Sequence, residues 1–233
     1  MAKRVFIALD FPTGDEAINF LLDYELKNVP VKVGMQLFYR EGPAIIERLK
    51  TNGHSIFLDL KLHDIPNTVK ESMKQLALLD VDIVNVHAAG GKKMIAAARE
   101  GLEKGGNTHR PLLFAVTQLT STNETMLKND LLINENLENV VRIYAKNSIE
   151  SGADGVVCSV HEVKKIKKEI GERCLTITPG IRLINDQLDD QVRVATVNEA
   201  KLVKTDFIVV GRTVTKSINP KETYDQIIRE WQC

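Results

Sequence analysis

Short apolar runs rich in β-branched residues recur along the chain: VFIAL from Val5, VKVG from Val31, SIFLDLK from Ser55, IVNVH from Ile83, LLFAVT from Leu112, GVVCS from Gly155, TITPG from Thr176 and FIVVG from Phe207. Most are nearly continuous rather than alternating, the pattern of strands buried on both faces of a parallel sheet. Their starts advance by about 29 residues on average, the length of a strand with its crossover helix. Between them lie helical patterns. Asp15 to Leu26 carries Ala17, Ile18, Leu21 and Leu22, and Val69 to Leu79 carries Val69, Met73, Leu76 and Leu79, close to the i, i+3, i+4, i+7 spacing of a buried helix face. Eight alternating units predict an α/β fold, a (β/α)8 TIM barrel, eight being the number of parallel strands that closes. No Pro/Gly/Ser linker interrupts the pattern, so residues 1–233 read as a single barrel domain. The widest interval, Leu112 to Gly155, holds a polar stretch from Thr120 to Asn136 ahead of the amphipathic Leu137 to Ile149, as expected of a cover over the barrel mouth or of a surface insertion.

Charge narrows the possible partners. The chain has 31 Lys and Arg against 31 Asp and Glu, a formal net charge of zero, which argues against a nucleic-acid partner. Cys158, Cys174 and Cys233 form no CxxC pair, so neither a disulfide framework nor a thiolate zinc site is expected, and a reducing cytoplasm is the simplest location. The apolar run at Val5 to Leu9 stops at Asp10, short of a signal peptide, and no run approaches a membrane span.

Active sites of parallel barrels lie at the C-terminal ends of the strands. Polar residues gather there: Asp10 after the first strand, Lys32 within the second, Asp59 and Lys61 at the end of the third, His87 at the end of the fourth, Thr120 and Ser121 after the fifth, and Arg212 after the eighth. Charges inside apolar strands are costly to bury unless paired, which favours a functional reading of the set. The densest segment is FLDLKLHDIPNT, Phe57 to Thr68. Strand alternation predicts that Asp59 and Lys61 project to the same side, with Asp64 in the turn beyond. A cation flanked by two carboxylates is expected to stay protonated, and so to suit proton donation to a developing carbanion better than Schiff-base chemistry. Alone, the triplet also fits an ion pair at the sheet rim; Lys32 and Asp10 extend the charges to neighbouring strands and favour a site.

After the eighth candidate strand, Gly211 permits close backbone approach, Arg212 offers a fork of donors, and a short helix follows. This arrangement suits a phosphate dianion, with TPGIR, Thr178 to Arg182, as the adjoining loop. His87 reads as a hydrogen-bonded strand-end residue rather than a metal ligand, because no second ligand stands at suitable spacing. His63 is expected to point away from Lys61, and Cys158 to pack in the core.

Taken together, IALD with Asp10, VKVG with Lys32, DLKLHDIPNT, LTS at Leu119 to Ser121, TPGIR and VVGR resemble, in this order and over nearly the whole chain, the orotidine 5'-phosphate decarboxylases. The resemblance implies cofactor-free, metal-free decarboxylation of orotidine 5'-monophosphate to UMP, the last step of de novo pyrimidine synthesis, by a homodimeric barrel. It makes Lys61 the proton donor to C6 and sets Asp59 beside the departing carboxylate. Lys32 and Asp10 would hold the ribose hydroxyls, while Asp64 and the Ile65 to Thr68 turn would reach the partner's site. Thr120 and Ser121 would contact the pyrimidine, and Pro179, Arg182, Gln191, Gly211 and Arg212 the phosphate side. Whether Asp59 destabilises the bound substrate or the fixed charges stabilise the carbanion stays open at this level. One departure is visible: Val197 stands where many members have a proline opening a helix, a matter of capping rather than chemistry.

Two alternatives differ in kind. Magnesium-dependent relatives, such as keto-gulonate phosphate decarboxylases and hexulose phosphate synthases, resemble one another in a glutamate metal ligand where this chain has Lys32, whose ammonium would repel the ion. A silent nucleotide-binding barrel would have lost a member of the charge set, whereas Asp10, Lys32, Asp59, Lys61 and Asp64 are all present.

Overall fold

In the computed structural model, which describes residues 4–106, 109–183 and 193–232, eight parallel strands close into a barrel. They are β1 (Arg4–Ala8), β2 (Val31–Gly34), β3 (Ile56–Leu62), β4 (Ile83–His87), β5 (Leu112–Val116), β6 (Gly155–Val157), β7 (Leu175–Thr178) and β10 (Phe207–Val210). The ring closes where β1 pairs with β10, Arg4 opposite Phe207 through Ile7 opposite Val210. The TIM barrel expected from the eight apolar runs is the observed fold. One pair was not anticipated: β8 (Ile181–Arg182) and β9 (Ala195–Thr196) form a two-stranded sheet outside the barrel.

Residue parity along the strands separates two cores. Phe6, Ala8, Phe57, Ile83, Phe114, Val116, Val157, Ile177, Phe207 and Val209 pack inside the barrel. Their neighbours, among them Val5, Ile7, Val31, Val33, Leu58, Val84, Leu113 and Ile208, face the surrounding helices. Inside, Phe6 stacks edge-on to both Phe57 and Phe207, with ring centroids 5.9 and 6.1 Å apart. Gly155 makes room for this packing, since a Cβ there would lie 2.3 Å from the Leu175 carbonyl oxygen and 2.5 Å from the Phe114 ring.

The helices are α1 (Gly14–Asp23), α2 (Met35–Glu41), α3 (Pro43–Thr51), α4 (Pro66–Ala77), α5 (Gly91–Lys104), α6 (Glu124–Asn129), α7 (Leu137–Glu150), α8 (Val160–Ile170), α9 (Val197–Leu202), α10 (Arg212–Thr215) and α11 (Pro220–Gln232). The helix expected over Asp15 to Leu26 stops at Asp23, where the chain turns sharply and Glu25 and Asn28 take φ of 50° and 54°. The helix expected from Val69 begins three residues earlier, with Pro66 in its first turn, where a missing N–H costs nothing. The polar Thr120 to Asn136 stretch contains α6, capped by Asn123, whose side chain accepts the Met126 N–H. Val197 opens α9 without a proline because Thr196 and Glu199 form a reciprocal capping box.

At the N-terminal end of the barrel, an aspartate just before a strand accepts the backbone N–H of the preceding strand at three places. Asp82 takes Ile56 N–H, Asp154 takes Leu113 N–H and Asp206 takes Thr176 N–H, each at 2.8 Å. Arg4, Arg110 and Lys167 respectively neutralise them. The N-terminal end of the barrel, its floor, is thereby tied.

Candidate active site

At the C-terminal end of the barrel a cavity of about 770 Å³ opens. Its floor is charged because β2 and β3 place Lys32 and Asp59 at inward positions, Lys32 opposite Phe57 and Asp59 opposite Gly34. Lys32 Nζ lies 2.9 Å from Asp10 Oδ1 and 3.6 Å from Asp59 Oδ2. Lys61 Nζ lies 2.7 Å from Asp59 Oδ1. The four side chains form one alternating row, Asp10–Lys32–Asp59–Lys61. Burial by itself depresses the Lys32 pKa, but the carboxylates of Asp59 and Asp10 outweigh it and leave it raised. For Asp59, burial works in the opposite sense and is likewise overcome, here by Lys32 and Lys61 and by hydrogen bonds from Lys61 and Asn85, so its carboxyl is held below the usual aspartate value.

Lys61 reaches this row by a different route from simple alternation. The register of β3 on β4 slips between Leu58 and Leu62, and Lys61 sits in the left-handed region with φ of 50°. For a residue with a Cβ this conformation costs on the order of 1–2 kcal/mol, and strain of this kind gathers at functional sites. Asn85, buried on β4, bridges the slip: its Nδ2 donates to Asp59 Oδ1 and its Oδ1 accepts the Lys61 backbone N–H, both at 2.7 Å.

Of the other residues singled out from the sequence, Thr120, Ser121, Pro179, Arg182, Gly211 and Arg212 line the same cavity. Arg182 is buried there, and its guanidinium donates to the Ile181 carbonyl. Asp64, Ile65 and Thr68 do not line it. They are exposed at the start of α4, where Asp64 accepts the Ile65 N–H at 2.6 Å and, among the described residues, forms no ion pair, so the expected flanking of Lys61 by two carboxylates is corrected to Asp59 alone within the protomer. Gln191 lies outside the described residues. His87 corrects its expected hydrogen-bonded state: Nδ1 is buried with no partner among the described residues, and the ring stacks on His63 at 5.6 Å. Burial, aided by His63 and Lys61, pushes the His87 pKa down, which favours a neutral ring. Cys158 is buried against α7 and α8, as expected, and its thiol pKa is driven up chiefly by burial, yet it also borders the cavity.

Several cavity residues had not been singled out: Phe11, Gln36, Gln118, Thr215 and Lys216. Gln118 and Asn85 carried a readable signal, a polar amide at the end of or inside an apolar strand. Gln36 follows β2 in α2 and had none.

A family model described as the orotidine 5'-phosphate decarboxylase / HUMPS family matches residues 3–227. The chain belongs to the orotidine 5'-phosphate decarboxylase / HUMPS family. Within the family, it is 55% identical over 234 aligned positions to the orotidine 5'-phosphate decarboxylase of Bacillus cytotoxicus, covering 100% of this chain and 98% of that one. The crystal structure of orotidine 5'-phosphate decarboxylase from Lactobacillus acidophilus superposes with a TM-score of 0.88 at 41% identity, over 99% of this chain and 100% of that one. That from Pyrococcus horikoshii OT3, at 24% identity and a TM-score of 0.76 over 98% of this chain and 99% of that one, shares the fold. Among the described residues, no helix is long and apolar enough to cross a membrane.

Proposed function

We propose that this protein decarboxylates orotidine 5'-monophosphate to UMP and carbon dioxide, without cofactor or metal, as the last step of de novo pyrimidine synthesis in the cytoplasm, with the whole chain acting as one catalytic barrel. The observation that carries the reading is the Asp10–Lys32–Asp59–Lys61 row on the cavity floor. In this reading the C6–carboxylate bond breaks, its electron pair stays on C6, and the Lys61 ammonium transfers a proton to C6; the neutral amine is then reprotonated from water. A fixed ammonium facing the developing carbanion is already oriented, so no solvent need rearrange as charge moves. Asp59 holds that ammonium and abuts the departing carboxylate. Lys32 and Asp10 bind the ribose hydroxyls, Thr120 and Ser121 the pyrimidine, and Pro179, Arg182, Gln191, Gly211 and Arg212 the phosphate side. Binding energy from the phosphate, remote from C6, is available to the chemical step. The metal-free reading is supported by Lys32, whose ammonium stands between the two carboxylates that a divalent cation would need.

The enzyme acts as a homodimer in which Asp64 to Thr68 of each protomer complete the partner's cavity. The exposure of this segment supports that reading, as does the absence of Asp64 from its own protomer's charged row. The test is loss of orotidine 5'-monophosphate absorbance in excess chelator, beside a Lys61→Ala variant. Turnover is expected to be metal-independent, and the variant to lose at least about 10³-fold in kcat/KM while remaining folded. Absence of turnover by the folded, unaltered protein overturns the proposal.

A further inference from the structure

We propose that Asn85 is a positioning residue for Lys61: by bridging the slipped register between β3 and β4, it holds the Lys61 backbone in the left-handed conformation that turns the ammonium onto Asp59. The inference rests on the decarboxylase reading for what Lys61 does, and on geometry alone for how Lys61 is held.

From Leu58 to Leu62, β3 passes three residues while β4, from Val84 to Val86, passes one, Asn85. Two more residues on β3 than on β4 must be accommodated in this interval, so the backbone ladder cannot serve every N–H and C=O there. Asn85 occupies the gap, 1% exposed. Its acceptor takes the Lys61 N–H and its donor reaches the Asp59 carboxylate, both at 2.7 Å, so one planar amide fixes two groups that must meet. The donor and the acceptor are both required. Aspartate at this position would keep an acceptor for Lys61 but set a second carboxylate against Asp59, whereas leucine would supply neither group and leave the partly buried Lys61 N–H without its acceptor. Asn85 does not border the cavity, so it acts through Lys61 and Asp59 and not on substrate.

Two readouts separate positioning from general support. The first, independent of activity, is amide hydrogen exchange in the full-length protein: Asn85→Leu should speed exchange at Lys61 by at least about 10-fold, while Val84 and Val86 in β4 keep their protection. The second is steady-state decarboxylation. Misplacing a reacting group by about 1 Å costs as much as 10²-fold, so kcat is expected to fall about 10- to 100-fold with KM changed less than about threefold. Asn85→Asp should retain Lys61 amide protection yet lose kcat to a similar degree, and it serves as the folded comparison if the leucine variant unfolds. Unchanged Lys61 exchange in a folded Asn85→Leu protein overturns the proposal, as does an undiminished kcat in either folded variant. If the unaltered protein does not turn over, the decarboxylase reading fails while the exchange result still decides how Lys61 is held.

Discussion

At Lys61 the local backbone preference conflicts with the contacts that set its ammonium on Asp59. Its φ of 50° is unfavourable for any residue with a Cβ, and it is held there by contacts from β4. Removing the side chain at the β-carbon leaves that penalty, whereas removing the β-carbon itself relieves it. Lys61→Gly is therefore expected to be more stable than Lys61→Ala by about 0.5–1 kcal/mol, the reverse of their order in a helix, as read from urea unfolding midpoints. The charges beside it set the pH response. Asp59 has a lowered folded pKa, so the stability it contributes is full above the unfolded aspartate value and is lost as pH falls through the folded one. Lys32 has a raised folded pKa, so its contribution is full below the unfolded lysine value and is lost only as pH rises through the folded one. Both therefore stay charged from about pH 4 to pH 10. The expectation is that kcat at saturating orotidine 5'-monophosphate is flat from about pH 5 to 9; a sigmoidal change with its midpoint inside that window contradicts this account of the row.

Among the elements, the strands carry the division of labour between the two ends of the barrel. At the floor, Asp154 receives the Leu113 N–H and a two-pronged contact from Arg110 at 2.6 Å, with Arg99 at 3.4 Å. Truncating it leaves a backbone donor and an arginine without their acceptor in a partly buried place. Asp154→Ala is expected to destabilise by about 2–3 kcal/mol, discounted from the cost of breaking a fully buried pair because the group is partly exposed. Since the floor lies opposite the cavity, kcat per folded molecule should be unchanged; chemical unfolding and activity titration together check both halves of the statement. At the other end, the same inward positions that hold Phe57 and Ile83 lower down hold Asp59 and Asn85 higher up. One strand thus serves packing below and carries charge above with no change in parity until the slip at Lys61.

At the scale of the whole molecule, the closed barrel collects side chains from β2 and β3 with those of segments that follow β1, β5, β7 and β10 into one cavity. It leaves Asp64 to Thr68 outside, with Ile65 67% exposed at the opening of α4. If this segment completes the partner's site, assembly and turnover are linked. Ile65→Arg is expected to shift the protein toward monomer in sedimentation velocity and to lose activity in proportion, with activity recovering as protein concentration is raised. A variant that stays dimeric and fully active contradicts the shared-site arrangement.

The barrel was legible in the sequence because its cause is local and repeated: eight apolar runs, about 29 residues apart on average and most of them continuous, have the pattern of a parallel sheet covered on both faces. The charged row was legible too, since Lys32 and Asp59 break apolar strands and an unpaired buried charge is too costly to keep. Other features depended on contacts between distant parts of the chain. Alternation brought Asp59 and Lys61 to one side on paper, but the observed meeting depends on a register slip against β4 and on Asn85, 24 residues away along the chain from Lys61. The His63–His87 stack and the β8–β9 pair likewise join segments that are separate along the chain. Periodicity and polarity are properties of neighbours in sequence and determined the fold and the members of the row; how Lys61 is turned and held was decided by the packing of one strand on the next.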